Sequence, residues 1–211
     1  MDPAPSGAGH ERGGAPMRKI SLMMSVSLDG YMEGPGHDID WHLVDEELHQ
    51  HMNDTLKHMG AFVDGRVTHE LMADYWPTAD ADPEAPAVIA EFARIWRDMP
   101  KIVYSRTLPS GPAEWNTTVV PEVVREEVLA LKEQPGGDLG LGGADLAATF
   151  LRLGLVDEIK VYVNPIVLGR GTPMFPVSDT RTPLRLTESR TFGNGVVLLR
   201  YARADLNSSH A

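Results

Sequence analysis

Apolar and polar positions fall into blocks along this chain, and the period changes from block to block. RKISLMMSVS at 18–27 is a near-continuous apolar run, the pattern of a strand buried on both faces. Leu28-Asp29-Gly30-Tyr31 follows as a turn, and EGPGHDID at 33–40 as a Gly/Pro loop. Leu43, Leu48, Met52, Leu56 and Met59 then recur at spacings near four, which predicts a helix face. AFV at 61–63 is a short strand ending at Asp64-Gly65, and Thr68 opens a short helix that stops before Pro77. After a polar loop at 78–86, residues 88–96 are helical, with Ile89, Phe92 and Trp96 on one side.

The second half repeats the alternation. Strands are predicted at 101–105, 117–120, 138–141 and 158–163, and helices at 122–132 and 144–153. The first of these helices carries Val124, Val128 and Leu131 on one face. Residues 184–203 form two strands around Phe192-Gly193-Asn194-Gly195, where Asn-Gly is a hairpin signal. Alternating strands and helices imply an α/β fold: a mostly parallel central sheet with helices on both faces, closed by a C-terminal antiparallel hairpin. No repeat or linker divides the chain. Residues 1–16, rich in Pro, Gly and Ala, form a solvated tail, 17–205 one domain, and 206–211 a second tail.

Composition narrows the chemistry. With no cysteine there is no disulfide framework, thiolate nucleophile or Cys-based zinc site. A formal charge of −11 without a basic stripe argues against a nucleic-acid partner. No apolar run is long enough for a membrane helix, and no export signal opens the chain, so a cytoplasmic protein is expected. His37, His42, His49, His51 and His58 include no pair spaced by four, so no metal site is expected. No serine lies in a nucleophile elbow.

Three turns, each after a predicted strand, suit an anion. In Gly65-Arg66-Val67-Thr68, Gly65 ends a strand, Arg66 is a candidate phosphate ligand and Thr68 can cap the next helix. In Ser105-Arg106-Thr107, two hydroxyls flank a guanidinium. In Gly142-Gly143-Ala144, adjacent glycines let the backbone approach a pyrophosphate at a helix start. The last is not the usual dinucleotide fingerprint, because Asp145 stands where its third glycine would fall.

In this order, and together with Ser27-Leu28-Asp29-Gly30 and the run VNPIVLGRGTPMF, these turns resemble the dihydrofolate reductase-like superfamily. The closer similarity is to the branch holding the reductase domain of bacterial riboflavin biosynthesis. The resemblance spans 18–203 and implies NADPH as cofactor, held by Gly65, Arg66, Thr68, Ser105, Arg106, Thr107, Gly142, Gly143 and Ala144. Arg106 would then meet the 2′-phosphate and favour NADPH over NADH. The resemblance also implies an acid assisting hydride transfer. The acids after Trp41 are Asp45, Glu46 and Glu47, of which Glu46 is taken as the candidate, with Asp29 beside it. Trp41, Pro165 and Arg170 are placed on the substrate side.

The expected substrate is a pyrimidine- or pteridine-like heterocycle such as 5-amino-6-(5-phosphoribosylamino)uracil. His49 and Gln50 stand where the helix of a true dihydrofolate reductase carries apolar and aromatic residues. With no cysteine for its P-C-x-x-C motif, the zinc deaminase that accompanies the bifunctional riboflavin enzymes is not expected in this chain. A general reductase or dihydrofolate reductase on the same fold, and a catalytically idle nucleotide- or flavin-binding module, are the alternatives. Relatives in the branch imply a homodimer, paired through the strand at 158–163 or through the terminal hairpin.

Overall fold

A computed structural model describes residues 17–175, 177–179 and 181–204. The expected tails at 1–16 and 206–211, and the domain boundary at 205, lie outside the described residues.

The first strand is β1 (Ile20–Ser27), followed by the short β2 (Tyr31–Glu33). Helix α1 (Glu46–Leu56) leads to β3 (Ala61–Gly65), α2 (Arg66–Tyr75) and, after a 3-10 turn at Trp76–Thr78, α3 (Ala87–Asp98). Then come β4 (Lys101–Tyr104), β5 (Gly111–Ala113), β6 (Thr117–Val120), α4 (Arg125–Glu133), β7 (Leu139–Leu141) and α5 (Ala144–Arg152). The chain ends with β8 (Glu158–Asn164), β9 (Thr172–Pro173), β10 (Leu184–Thr191) and β11 (Val197–Arg203).

Nine strands form one sheet in the order β10-β11-β8-β1-β7-β3-β4-β6-β5. The six from β8 to β6 are parallel, while β10 and β11 at one edge and β5 at the other are antiparallel. Apolar residues of β1, β3 and β7 pack with Val128 of α4 and Leu146, Ala147 and Phe150 of α5. Across the sheet, Phe62 packs with Phe92 and Trp96 of α3 and with Met72 of α2, while Leu48 of α1 packs on Tyr162, Phe192 and Leu198. Helices thus cover both faces, as the alternation required.

The local differences have local causes. Helix α1 starts at Glu46 because Asp45 caps it, its carboxylate accepting from the Leu48 N–H at 2.9 Å. Leu43 is therefore outside the helix, 42% exposed. Helix α2 follows β3 with no loop, so Gly65 is its N-cap and Thr68 lies inside it rather than capping it. Helix α4 starts at Arg125, not at residue 122. The strands β2, β5 and β9 are too short to carry a periodic signal. The strand predicted at 158–163 lies between β11 and β1 and has no free edge along which a second subunit's strand could add.

Candidate functional site

The central strands end at different heights, and this makes a notch. Leu22 pairs with Leu141, the last residue of β7, whereas Ser27 still pairs with Asn164 of β8. From Leu22 to Ser27, about 16 Å of β1 therefore runs on without a neighbour on its β7 side. On the other side of β7, Val63 pairs with Leu141 and Gly65 with Tyr104, so β3 also overshoots. The notch lies between β1 and β3, at the carboxyl ends of parallel strands, where ligands of open α/β sheets bind. Met23, Met24 and Ser25 are only half-buried although β1 is central.

The three predicted turns line this notch side by side, because β7, β3 and β4 are neighbours. Gly143 is the N-cap of α5 with φ +82°, and Ala144 is its first residue. A Cβ on Gly142 would come 2.7 Å from Asp64 Oδ1, and one on Gly143 2.7 Å from Thr68 Oγ1. The glycine pair is thus what lets the β7 turn close against the β3 turn. Neither α2 nor α5 has a side-chain cap, so both present N–H groups without intrahelical partners. Two helix starts facing one notch form a cradle suited to a pyrophosphate.

Arg106 is exposed and has no hydrogen bond or ion pair among the described residues. Arg66 is exposed too, but its guanidinium pairs with Glu70 at 2.6 Å. The Ser105 hydroxyl differs from the expected clamp: it is buried and accepts from the N–H groups of Thr107 (3.2 Å) and Leu108 (3.0 Å). Ser105 shapes the turn, leaving Arg106 and Thr107 exposed at its tip.

On the far side of the notch, β1 and β8 carry the rest. Asp29 accepts from Leu168 N–H (3.1 Å) and Gly169 N–H (2.7 Å). A hydrogen bond from Ser27 and these two amides hold its carboxyl below the usual carboxylate range. Asp29 is therefore a carboxylate at neutral pH that staples the β1 turn to the loop at 165–171. In that state it has no proton to give.

The acids of α1 separate by role. Asp45 caps the helix, and Glu47 accepts from Arg190 (2.8 Å) and Gly193 N–H (3.0 Å), tying α1 to the terminal hairpin. Those two bonds also hold the Glu47 carboxyl down, the amide of Gly193 first. Glu46 is exposed at the first helical position with no side-chain partner among the described residues.

Trp41 is half-buried, its indole N–H donating to Asp38 O at 3.0 Å, and it meets His42 edge-on. Desolvation lowers the His42 pKa, and its Nε2 is buried with no hydrogen-bond partner among the described residues. Pro165 and Arg170 are exposed on the loop that Asp29 holds, beside Val167, 65% exposed. The segment 34–45 is anchored by Asn164, whose Oδ1 accepts from Leu43 N–H at 2.9 Å.

Sequence reasoning missed Asn164, His42 and Asp64. Asn164 ends β8 before a proline, a position that could have marked it. Asp64 carried a clear signal as an acid inside a buried apolar strand. Two cavities, of about 310 and 520 Å³, lie instead at the amino ends of the strands, lined by such residues as Asp138 and Lys160, and Asp98 and Pro100. They adjoin none of the carboxyl-end turns. No group of acidic and histidine side chains suited to a metal ion occurs among the described residues, and no helix there is long and apolar enough to cross a membrane.

Comparison with known proteins bears on this notch. The family model described as the RibD C-terminal domain matches residues 18–198. The uncharacterized protein YyaP of Bacillus subtilis is 35% identical over 185 residues, which cover 87% of this chain and 94% of that protein. A solved structure from Shewanella sp. PV-4, ascribed to riboflavin biosynthesis, superposes with a TM-score of 0.67 at 20% identity, covering 89% of this chain and 99% of that one. The diaminohydroxyphosphoribosylaminopyrimidine deaminase/5-amino-6-(5-phosphoribosylamino)uracil reductase of Thermotoga maritima gives 0.62 at 14% identity, covering 89% of this chain and 57% of that one.

Proposed function

Because the chain belongs to the RibD C-terminal domain family, we propose that its notch binds NADPH and delivers hydride to a pyrimidine- or pteridine-like heterocycle. A named chemistry that fits is reduction of 5-amino-6-(5-phosphoribosylamino)uracil, an activity in the name of the Thermotoga protein. The observation that carries the reading is the cradle itself: two uncapped helix starts drawn together by Gly142 and Gly143, with the unpaired Arg106 one strand further along. The dinucleotide would supply the hydride.

The chain's own residues then divide the work. Backbone amides at Gly143, Ala144, Arg66 and Thr68 bind the pyrophosphate, and Arg106 with Thr107 meets the 2′-phosphate. Asp29 orients the loop bearing Pro165 and Arg170 over the substrate. Trp41 and the 34–45 segment shield the reacting face from water. Glu46, which no other described group engages, is the acid available to supply a proton. The same reading makes the protein cytoplasmic and a homodimer. Of the two pairing elements expected from sequence, only the hairpin, through β10, offers a free edge.

Thermal unfolding with NADPH, NADH and FMN tests the proposal. A ligand at 100 times its dissociation constant adds about 2.7 kcal/mol. NADPH should stabilise the protein more than NADH, and Arg106→Ala should remove that preference. No shift with millimolar NADPH, or a larger one with FMN, overturns the reductase reading in favour of a flavin or idle module. Loss of nicotinamide absorbance across a panel of pyrimidines and pterins then selects the substrate.

A further inference from the structure

Asp64 takes no part in the reading above, yet it sits under the cradle. It is 8% exposed, and its carboxyl has no hydrogen-bond partner among the described residues. Its Oδ1 lies where a side chain on Gly142 would have to go. The register of β3 and β4 turns Asp64 to the same face as Phe62 and Lys101.

The charged and titratable groups on the neighbouring elements leave it unanswered. Lys101 on β4 directs its ammonium to the carbonyls of Trp96, Met99 (2.9 Å) and Trp115 (2.8 Å). On α2, His69 stacks on Trp96 with Nδ1 unpartnered among the described residues, and Arg66 and Glu70 pair with each other. Asp98 at the end of α3 and Asp145 at the start of α5 are further acids. Burial pushes the Asp64 carboxyl up to about 7, against a weaker pull from Lys101. An ionised Asp64 would set a further negative charge beside a bound pyrophosphate in a low-dielectric site. A protonated one offers an O–H that a phosphate oxygen can accept.

We propose that Asp64 is a binding residue for the dinucleotide in its protonated form, so that the pyrophosphate and one proton from solvent enter the site together. This rests on the reading of the notch as a dinucleotide site. It makes the affinity for NADPH fall as pH rises through neutrality.

The test is calorimetric titration of the parent and Asp64→Asn with NADPH, in pairs of buffers that differ in ionisation enthalpy. At pH 7.5 the parent should take up about three-quarters of a proton more than the variant, the ionised share of a group titrating near 7. Between pH 6.5 and 8.5 the parent's Kd should weaken about 20-fold relative to the variant's. Titration of the 2′-phosphate is common to both proteins and cancels. Equal proton uptake or parallel Kd profiles overturn the proposal while leaving NADPH binding intact. If neither protein binds NADPH at any pH, the dinucleotide reading falls and takes this one with it. Should Asp64→Asn not fold, carbon-13 titration of the parent's Asp64 carboxyl decides: its pKa rises by about two units with NADPH, or the proposal fails.

Discussion

Gly143 shows how much one backbone position can decide. Its φ of +82° belongs to the left-handed region, and the space where a side chain would stand is taken by the Thr68 hydroxyl. Gly143→Ala should cost about 1–3 kcal/mol of stability by denaturant unfolding. NADPH affinity by fluorescence titration should fall further than that loss explains, because the α5 start moves away from the α2 start. The adjacent glycines were legible in sequence because few structures other than a tight turn need two of them. Ser105 was less legible. Its type suited an anion clamp, but a hydroxyl just past a strand end can bond its own turn, and here it does. The Asp29 case is similar: a turn aspartate was expected near the ligand, and its partners proved to be the amides of a loop far along the chain.

Among the elements, the segment at 34–45 depends most on a single contact. Asn164 is 2% exposed and binds that segment through Leu43 while donating to the carbonyls of Val26 and Tyr162, both at 3.3 Å. Asn164→Ala strands these buried groups, a loss of about 1–3 kcal/mol. Hydrogen exchange should speed up across 34–45, and kcat/KM for the heterocycle should fall while NADPH affinity holds. Unchanged exchange there would mean that other contacts fix the segment. Most elements could be read from periodicity, and their ends could not. Helix α1 starts three residues after Leu43 because a cap outweighs a periodic apolar residue. The strands β2, β5 and β9 owe their pairing to distant partners, which a local pattern does not carry.

For the whole molecule, the buried Asp64 ties stability to pH. Its folded pKa of about 7 lies above the ordinary 3.8, so the stability it permits is complete below about pH 4 and lost as pH rises through 7. The full loss is on the order of 4 kcal/mol, a large share of the 5–15 kcal/mol of a typical domain. Denaturant unfolding of Asp64→Asn and parent across pH 4–8 should show the difference moving in favour of the variant by up to that amount. A pH-independent difference would place the Asp64 carboxyl in water. The global fold class followed from the order of strands and helices. The notch did not, since it arises from the relative heights of β1, β7 and β3, and register between strands distant in sequence is written in no single stretch.

The arrangement of that notch along the gene has its own consequence. The phosphate cradle and Arg106 come from one continuous stretch, from β3 to the start of α5. The opposite wall comes from segments outside it: the β1 turn, residues 34–45, the loop after β8 and the tip of the terminal hairpin. Inheritance can therefore act on the two walls separately. Mutations in the outer segments can reshape one wall of the notch while the central cassette passes unchanged, so descendants of one ancestor can keep the cradle and diverge in what stands opposite it.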